Sequence, residues 1–341
     1  MPSVVTRTAG STRGAVVLGG SGHLGNAVVR ELLGQGYRVT VVRRGRTRAH
    51  NLAGLPVTDA LGDADRPSAV DGWVAGQDLV IDAAAPYPWT LAERGAAEIA
   101  ARRAAVLVAA ITRHGARLVH LGSFVTRLGS DSAGQPREPG QRLDSQLHPY
   151  FAAKRAGEAV FAAAARAGAP ITIVHPTTCL GPWDSRPHAM CLVPRVLAGT
   201  MPLVPSHMIN VVDVRDVARG AVAAADREDR RGEPLRLTGH NVGIPELCHL
   251  IGELAGIRVT TRGFPAAAAR GAAWALELAA PGAIQPPVLL PTLLTLRQAP
   301  LSVSSTQRAL GAAPRPLSVT LRDAIMWYCD SGSCLRRDVM P

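Results

Sequence analysis

Short apolar runs rich in β-branched residues alternate along the first half of the chain with longer stretches of helical spacing. Residues 15–18 are an apolar run that ends in glycines. The pattern turns helical from Asn26 to Leu33, and Gly34 and Gly36 stop it. Residues 37–42 read as a second strand, 57–61 as a weak third and 78–83 as a fourth. An Ala-rich helical stretch covers 91–114, a fifth strand 118–121, a helix 150–166 and a sixth strand 171–174. Strands separated by helices of this length predict right-handed βαβ units, hence an α/β fold with a doubly wound parallel sheet.

Beyond about residue 176 the texture changes. Pro and Gly become frequent and the alternation weakens, which predicts a smaller lobe packed on the carboxyl edge of the sheet. Residues 210–222 look like a return to the sheet. The expected division is therefore 14–176 plus about 207–238 for the sheet domain, and 177–206 plus about 239–329 for the smaller lobe. The segments 1–13 and 330–341 read as loose tails. No internal repeat is visible.

Composition narrows the function. Of 341 residues, 47% are apolar and 18% charged, which excludes intrinsic disorder. The five Cys form no CxxC pair, so neither a zinc ribbon nor a disulfide framework is expected, and no metal site is assigned. The net charge is +11, but the Arg residues are spread along the chain, and only four Tyr and four Phe are available for stacking. Nucleic acid is therefore not the expected partner. Residues 1–13 lack the apolar run of a signal peptide, and the apolar region 266–295 is broken by Arg270, Glu277 and several Pro. No membrane span is expected, and a cytoplasmic protein is.

The glycines Gly19, Gly22 and Gly25 lie between a strand and a helix, with His23 and Leu24 between the last two. The first glycine makes a tight turn, the second lets backbone approach a pyrophosphate, and the third lets helix and strand pack closely. The helix N-terminus then offers unpaired N–H groups to phosphates. Dinucleotide binding follows, on a Rossmann-type sheet. At the end of the second strand, a carboxylate would select NAD(H) by bonding a ribose hydroxyl. This chain has Arg43 and Arg44 there, with Arg46 and Arg48 close by. A guanidinium suits a 2′-phosphate, so NADP(H) is favoured and NAD(H) is the alternative. In an Arg-rich chain, the same pair also fits a plain solvated loop.

Of the 37 Lys and Arg residues, only Lys154 is lysine, and it lies four residues after Tyr150. Positions four apart share a helix face. An ammonium beside a phenol favours the phenolate, and a tyrosine tuned in this way exchanges a proton with a carbonyl or hydroxyl oxygen. Arg is a planar fork that is not readily tuned, so a lysine retained against the compositional bias points to function. Ser123 ends the fifth strand and offers a hydroxyl to the same substrate oxygen, with Thr126 as the competing candidate.

Together these residues resemble the extended branch of the short-chain dehydrogenase/reductase superfamily, also called the NAD-dependent epimerase/dehydratase superfamily, along nearly the whole chain. Leu61-Gly62-Asp63 looks like the family turn whose Asp meets the adenine. Ala83, Ala84 and Ala85 resemble the small-residue stretch lining the cofactor. His175-Pro176 through Asp184 looks like the crossing into the substrate lobe, and residues 211–218 like the late return segment. The resemblance implies Tyr150 as general acid/base, Ser123 polarising the reacting C–O, and Lys154 binding the nicotinamide ribose and lowering the Tyr150 pKa. Cofactor contacts would then come from Gly19, Gly22, His23, Leu24, Gly25, Arg43, Arg44, Asp63, Ala83 to Ala85, Lys154 and Pro176. One departure is clear: the family often has an Asn for a water relay in the helix before the Ser strand, and residues 91–114 contain none.

Within the superfamily, dehydratases carry Asp-Glu after the catalytic hydroxyl residue, where this chain has Phe124-Val125. Nucleotide-sugar enzymes tend to place an Arg before the return segment, where Met208-Ile209-Asn210 is uncharged, although Arg186 or Arg195 could substitute. What remains resembles the dihydroflavonol reductase and 3β-hydroxysteroid dehydrogenase-like group. Tyr87, Trp89, Phe124 and Trp183 are the expected substrate-pocket residues, though they also suit lobe packing. The expectation is an NADP(H)-dependent carbonyl reductase or alcohol dehydrogenase for a hydrophobic, natural-product-like ketone. The alternatives are an NAD-dependent sugar or nucleotide-sugar epimerase and a non-catalytic NADP(H)-binding protein. A homodimer is common in such families.

Overall fold

The computed structural model describes residues 12–44, 50–126, 147–186, 190–226, 233–284, 287–296 and 300–331. Its first half is strand and helix in turn: β1 (Gly14–Leu18), α1 (His23–Gly34), β2 (Arg38–Arg43), β3 (Val57–Leu61), α2 (Pro67–Val74), β4 (Leu79–Asp82), α3 (Ala96–His114), β5 (Arg117–Leu121), α4 (Pro149–Arg166) and β6 (Ile171–Pro176). Arg46 and Arg48, and the outer parts of both tails, lie outside the described residues. The second half contains β7 (Thr178–Leu180), α5 (Leu192–Leu197), β8 (Leu203–Ser206), β9 (Met208–Asp213), α6 (Val214–Ala224), β10 (Leu235–Leu237), β11 (His240–Gly243), α7 (Ile244–Leu254) and β12 (Arg262–Pro265). It ends in α8 (Ala266–Ala279), α9 (Leu289–Leu296), α10 (Ser304–Leu310) and α11 (Leu317–Asp330).

The main sheet has seven strands in the order β10-β6-β5-β4-β1-β2-β3, and every pairing is parallel. Both faces are covered, so the central strands are largely apolar on both faces rather than alternating. Ala15 and Val17 of β1 pack with Val28, Val29 and Leu32 of α1 and Val217 and Ala221 of α6. Val16 and Leu18 point the other way, into a core with Val70, Leu107, Ile111 and Phe161 from α2, α3 and α4. This is the period of two of a strand, read on two buried faces.

The strand orders run outward from β1 in one direction and from β4 in the other. The connections therefore leave a crevice at the carboxyl ends of β1 and β4, where open α/β sheets bind ligands. The late return is divided. α6 covers the sheet beside α1 and β10 joins β6, with Leu235 opposite Val174. β9, by contrast, pairs with β7 and β11 in a separate three-stranded sheet. Asn210 pins that sheet from inside, donating to the Gly239 carbonyl at 3.1 Å and accepting from Thr177 at 2.7 Å. The smaller lobe has its own apolar centre, built from Val193, Leu247, Ile251, Leu321 and Tyr328. No described helix is long and apolar enough to cross a membrane.

Candidate active site

The glycine loop connects β1 to α1 by close backbone packing. Gly19 adopts φ 78°, a left-handed conformation that favours glycine, and a Cβ there would lie 2.8 Å from the Ala83 carbonyl oxygen. A Cβ on Gly25 would lie 2.2 Å from the Gly19 carbonyl oxygen. Helix α1 begins from Gly22, which has no side chain to cap it, so its first N–H groups face the crevice without an internal acceptor. This cradle of amides, with small residues Ala83 to Ala85 opposite, fits a dinucleotide pyrophosphate.

The outer positions divide. Arg43 turns its fork onto Asp59 of the neighbouring strand, with Nε donating to both carboxylate oxygens at 2.9 and 3.0 Å. Arg44, next in the chain, is exposed at the strand end. Asp63 folds the turn after β3, accepting from the Asp65 amide at 3.2 Å. Pro176 ends β6 against Leu237. His23 is buried and held near Asp184, and its lowered pKa comes from burial, which outweighs the Asp184 charge.

Tyr150 and Lys154 sit one turn apart on α4, and Ser123 follows β5. The Tyr150 hydroxyl donates to Ser123 Oγ at 3.5 Å, and both side chains are buried. Thr126 turns elsewhere, to the Ser123 carbonyl at 3.0 Å and to Glu158 at 3.2 Å. The Tyr87 ring covers the Tyr150 ring with centroids 4.7 Å apart, and the Lys154 ammonium lies 5.8 Å from the Tyr150 ring centre. The sequence predicts a Tyr150 phenol acidified by the lysine. The balance here is the reverse: burial, with Tyr87 beside it, raises the phenol well above its ordinary pKa. Burial likewise lowers the Lys154 pKa, against the pull of Asp82 and Glu158.

Beneath this pair lie two buried imidazole–carboxylate contacts that the sequence reading passed over. His120 Nδ1 meets Asp82 Oδ2 at 2.8 Å, and His175 Nε2 meets Glu158 Oε2 at 2.7 Å. Burial alone would raise both carboxyls. The adjoining histidines, with Arg103 for Asp82 and Thr126 for Glu158, hold them below the ordinary range. The available signal was polar residues inside otherwise apolar central strands, at Asp82, His120 and His175.

The expected pocket residues separate into two places. Phe124 and Trp89 join Tyr150 in an apolar cluster with Leu289, Leu290 and Leu293 of α9, and Tyr87 packs on Trp89 with centroids 4.6 Å apart. Trp183 is not in that cluster. It lies under the Arg30 guanidinium of α1 at 4.5 Å, with φ 71°, and its carbonyl accepts from Asn51 at 3.3 Å. Arg186 is engaged by Asp184 at 2.6 and 2.8 Å. No group of three or more metal-ligating residues occurs among the described residues.

Known proteins resemble the chain along most of its length. Residues 15–237 match the family model described as the NAD dependent epimerase/dehydratase family. A Synechocystis protein named "Putative dihydroflavonol 4-reductase" is 26% identical over 324 residues, covering 93% of this chain and 94% of that protein. The sterol demethylase protein B of Methylococcus capsulatus is 28% identical over 335 residues, covering 93% of this chain and 98% of that one. Among solved structures, a nucleoside-diphosphate-sugar epimerase from Pseudomonas aeruginosa superposes with TM-score 0.74 at 24% identity, over 95% of this chain and 99% of that one. At that identity the likeness is one of fold.

Proposed function

The chain belongs to the NAD dependent epimerase/dehydratase family and is an NAD(P)-dependent enzyme of oxidoreductase type, and we propose that it reduces a hydrophobic, natural-product-like ketone with NADP(H). The observation that carries this reading is the buried contact of the Tyr150 phenol with Ser123, set among Tyr87, Trp89 and Phe124. A phenol that stays protonated at neutral pH carries the proton that ketone reduction must deliver to the carbonyl oxygen. When bound, the reduced nicotinamide supplies the hydride to the carbonyl carbon.

Ser123 polarises the carbonyl by donating to its oxygen, and Tyr150 then transfers its proton to that oxygen as charge develops there. Lys154, one turn along α4, holds the cofactor ribose. The amides of His23, Leu24 and Gly25 hold the pyrophosphate, and Asp63 the adenine end. The NADP(H) preference rests on Arg44, whose exposed guanidinium is available to a 2′-phosphate while Arg43 is occupied by Asp59. Apolar, aromatic walls favour a cyclic, weakly polar substrate. The names of the Synechocystis and Methylococcus proteins, a dihydroflavonol reductase and a sterol demethylase protein, support substrates of that kind.

The test is to denature freshly purified protein, identify the released nucleotide by mass spectrometry, and measure its exchange with added NADPH. An empty site or ready exchange, followed by NADPH oxidation on a panel of cyclic ketones, supports the reductase. Tightly held NAD that does not exchange overturns it in favour of a sugar epimerase, whose oxidation–reduction cycle retains its cofactor. Nucleotide binding with no turnover on either substrate class would leave a binding protein.

A further inference from the structure

Helix α8 (Ala266–Ala279) is turned inside out. Ala267, Ala268, Ala272, Ala275, Leu276 and Leu278 share one half of its circumference, and that whole half is exposed and carries no polar side chain. Leu276 and Leu278 are 47% and 63% exposed. The one acid of the helix, Glu277, points the other way. It is buried and accepts from the Leu91 amide at 2.9 Å and the Gly282 amide at 3.2 Å. A surface helix of a globular protein ordinarily has the opposite arrangement, with its charges in water and its apolar stripe inside. The inner side of α8 is apolar as well, since Ala273 and Trp274 join the cluster that holds Tyr150 and Phe124. One helix therefore has the candidate pocket on one side and a bare apolar surface on the other.

Charge near the helix is equally one-sided. Between Glu253 and Asp323 the chain contains seven arginines, and its only acid is the buried Glu277. Arg258 and Arg262, both exposed, lead into α8, and Arg262 stands opposite the exposed Leu203 in the β8–β12 pairing. An apolar face flanked by arginines, whose own segment has no exposed acid, matches an anionic lipid surface. Acyl chains take the leucines, and headgroup phosphates take the guanidiniums. A second copy of the chain fits less well, because a two-fold contact through this face sets the same arginines against one another. At 1.5 Å per residue α8 is about 21 Å long, short of the ~30 Å of a bilayer core, so it suits the plane of the interface rather than a span.

We propose that the outer face of α8, with Arg258 and Arg262, docks this protein on the surface of an anionic lipid bilayer. Docked in this way, the pocket wall at Ala273 and Trp274 lies about one helix diameter, roughly 10 Å, from the lipid. The inference stands on this face and its charge, whatever reaction the pocket runs.

The full chain is mixed with vesicles of phosphatidylcholine alone or of phosphatidylcholine with phosphatidylglycerol, and the bound fraction is read by flotation. Binding is expected on the anionic vesicles, weaker on the zwitterionic ones, and falling as salt is raised. Leu276→Gln with Leu278→Gln leaves the net charge at +11 and changes only exposed positions. This pair is expected to lower the partition coefficient at least about tenfold, and Arg258→Ala with Arg262→Ala about tenfold on the anionic vesicles. Leu61→Gln, equally exposed but on the edge strand β3, is expected to change nothing. Thermal melts show that each variant is folded. Native protein that does not float with anionic vesicles overturns the proposal, as does full binding by the folded Leu276→Gln, Leu278→Gln protein. A native dimer that the same variant dissociates, read by light scattering, also overturns it and makes the face a contact between copies. None of these readings involves turnover, so they are decided separately from the reductase assignment.

Discussion

The Tyr87 and Tyr150 rings lie with centroids 4.7 Å apart and planes inclined at 58°, so one phenol is the lid of the other. Tyr150 is thereby kept out of water and its pKa is held high. Replacing the lid by Tyr87→Ala is expected to admit water and bring the Tyr150 midpoint down toward the ordinary tyrosine range. The near-ultraviolet phenolate absorbance, measured against the same variant carrying Tyr150→Phe, isolates that one midpoint. An unchanged midpoint would mean that burial comes from other walls.

Tyr150→Phe keeps the ring and removes only the proton donor. Turnover is expected to fall by about 10²–10⁴-fold, the range for a lost general acid. Cofactor binding, read by quenching of tryptophan fluorescence, is expected to hold within a factor of about two, because the phenylalanine ring fills the same cluster. Loss of both together would point to collapse of the site instead.

The two adjacent arginines at the end of β2 make a paired prediction. Arg44→Ala is expected to weaken NADPH binding about tenfold and leave NADH unaffected, since roughly 1.4 kcal/mol is one decade. Arg43→Ala is expected to act on stability by releasing Asp59, with little change in the cofactor ratio. Isothermal titration with both nucleotides separates the cases. An equal loss for NADPH and NADH in Arg44→Ala contradicts the assignment.

Acid should unfold this protein through specific carboxylates. Asp213 is buried, which opposes ionisation, but Arg215 and Thr320 outweigh burial and hold its pKa below the ordinary value. Asp82, Glu158 and Asp184 are held low in the same sense. A folded pKa below the unfolded one stabilises fully above the unfolded value, about 4, and the stabilisation is lost as pH falls through the folded value. The melting temperature is therefore expected to decline gently below about pH 6.5, where unfolding lets the buried His23 take up a proton, and steeply below about pH 4 as the carboxylates protonate. Asp213→Asn is expected to melt lower at neutrality and to show a shallower acid decline.

Much of the sheet is legible in the chain, because fully buried parallel strands such as residues 14–18 and 79–81 are continuous apolar runs. The Tyr150–Lys154 spacing is legible because helix geometry turns a sequence interval into a shared face. α2 escapes notice because its eight residues, Pro67–Val74, give few turns of periodicity. β9 reads as a return to the main sheet because Val211 and Val212 are as apolar as any of its strands; only its pairing with β7 and β11 assigns it elsewhere. The aromatic residues were the hardest to place. Trp183 and Trp89 look alike in sequence, and long-range packing alone puts one under Arg30 and the other beside Tyr150. The sign of the Tyr150 shift was likewise invisible, since burial depends on Tyr87 and α9 rather than on the neighbouring lysine.

The seventh strand has a consequence for synthesis. β6 finds its outer partner only in residues 235–237, with Leu235 opposite Val174. While the intervening lobe is being translated, β6 is an open, apolar edge with unpaired amides and carbonyls, the kind of template that recruits other nascent chains. A ribosome stalled in the smaller lobe would therefore present a sticky fragment rather than a finished cofactor domain. Truncation after β6 is the wrong way to make a minimal version of this protein, whereas a chain ending beyond β10 has its sheet complete.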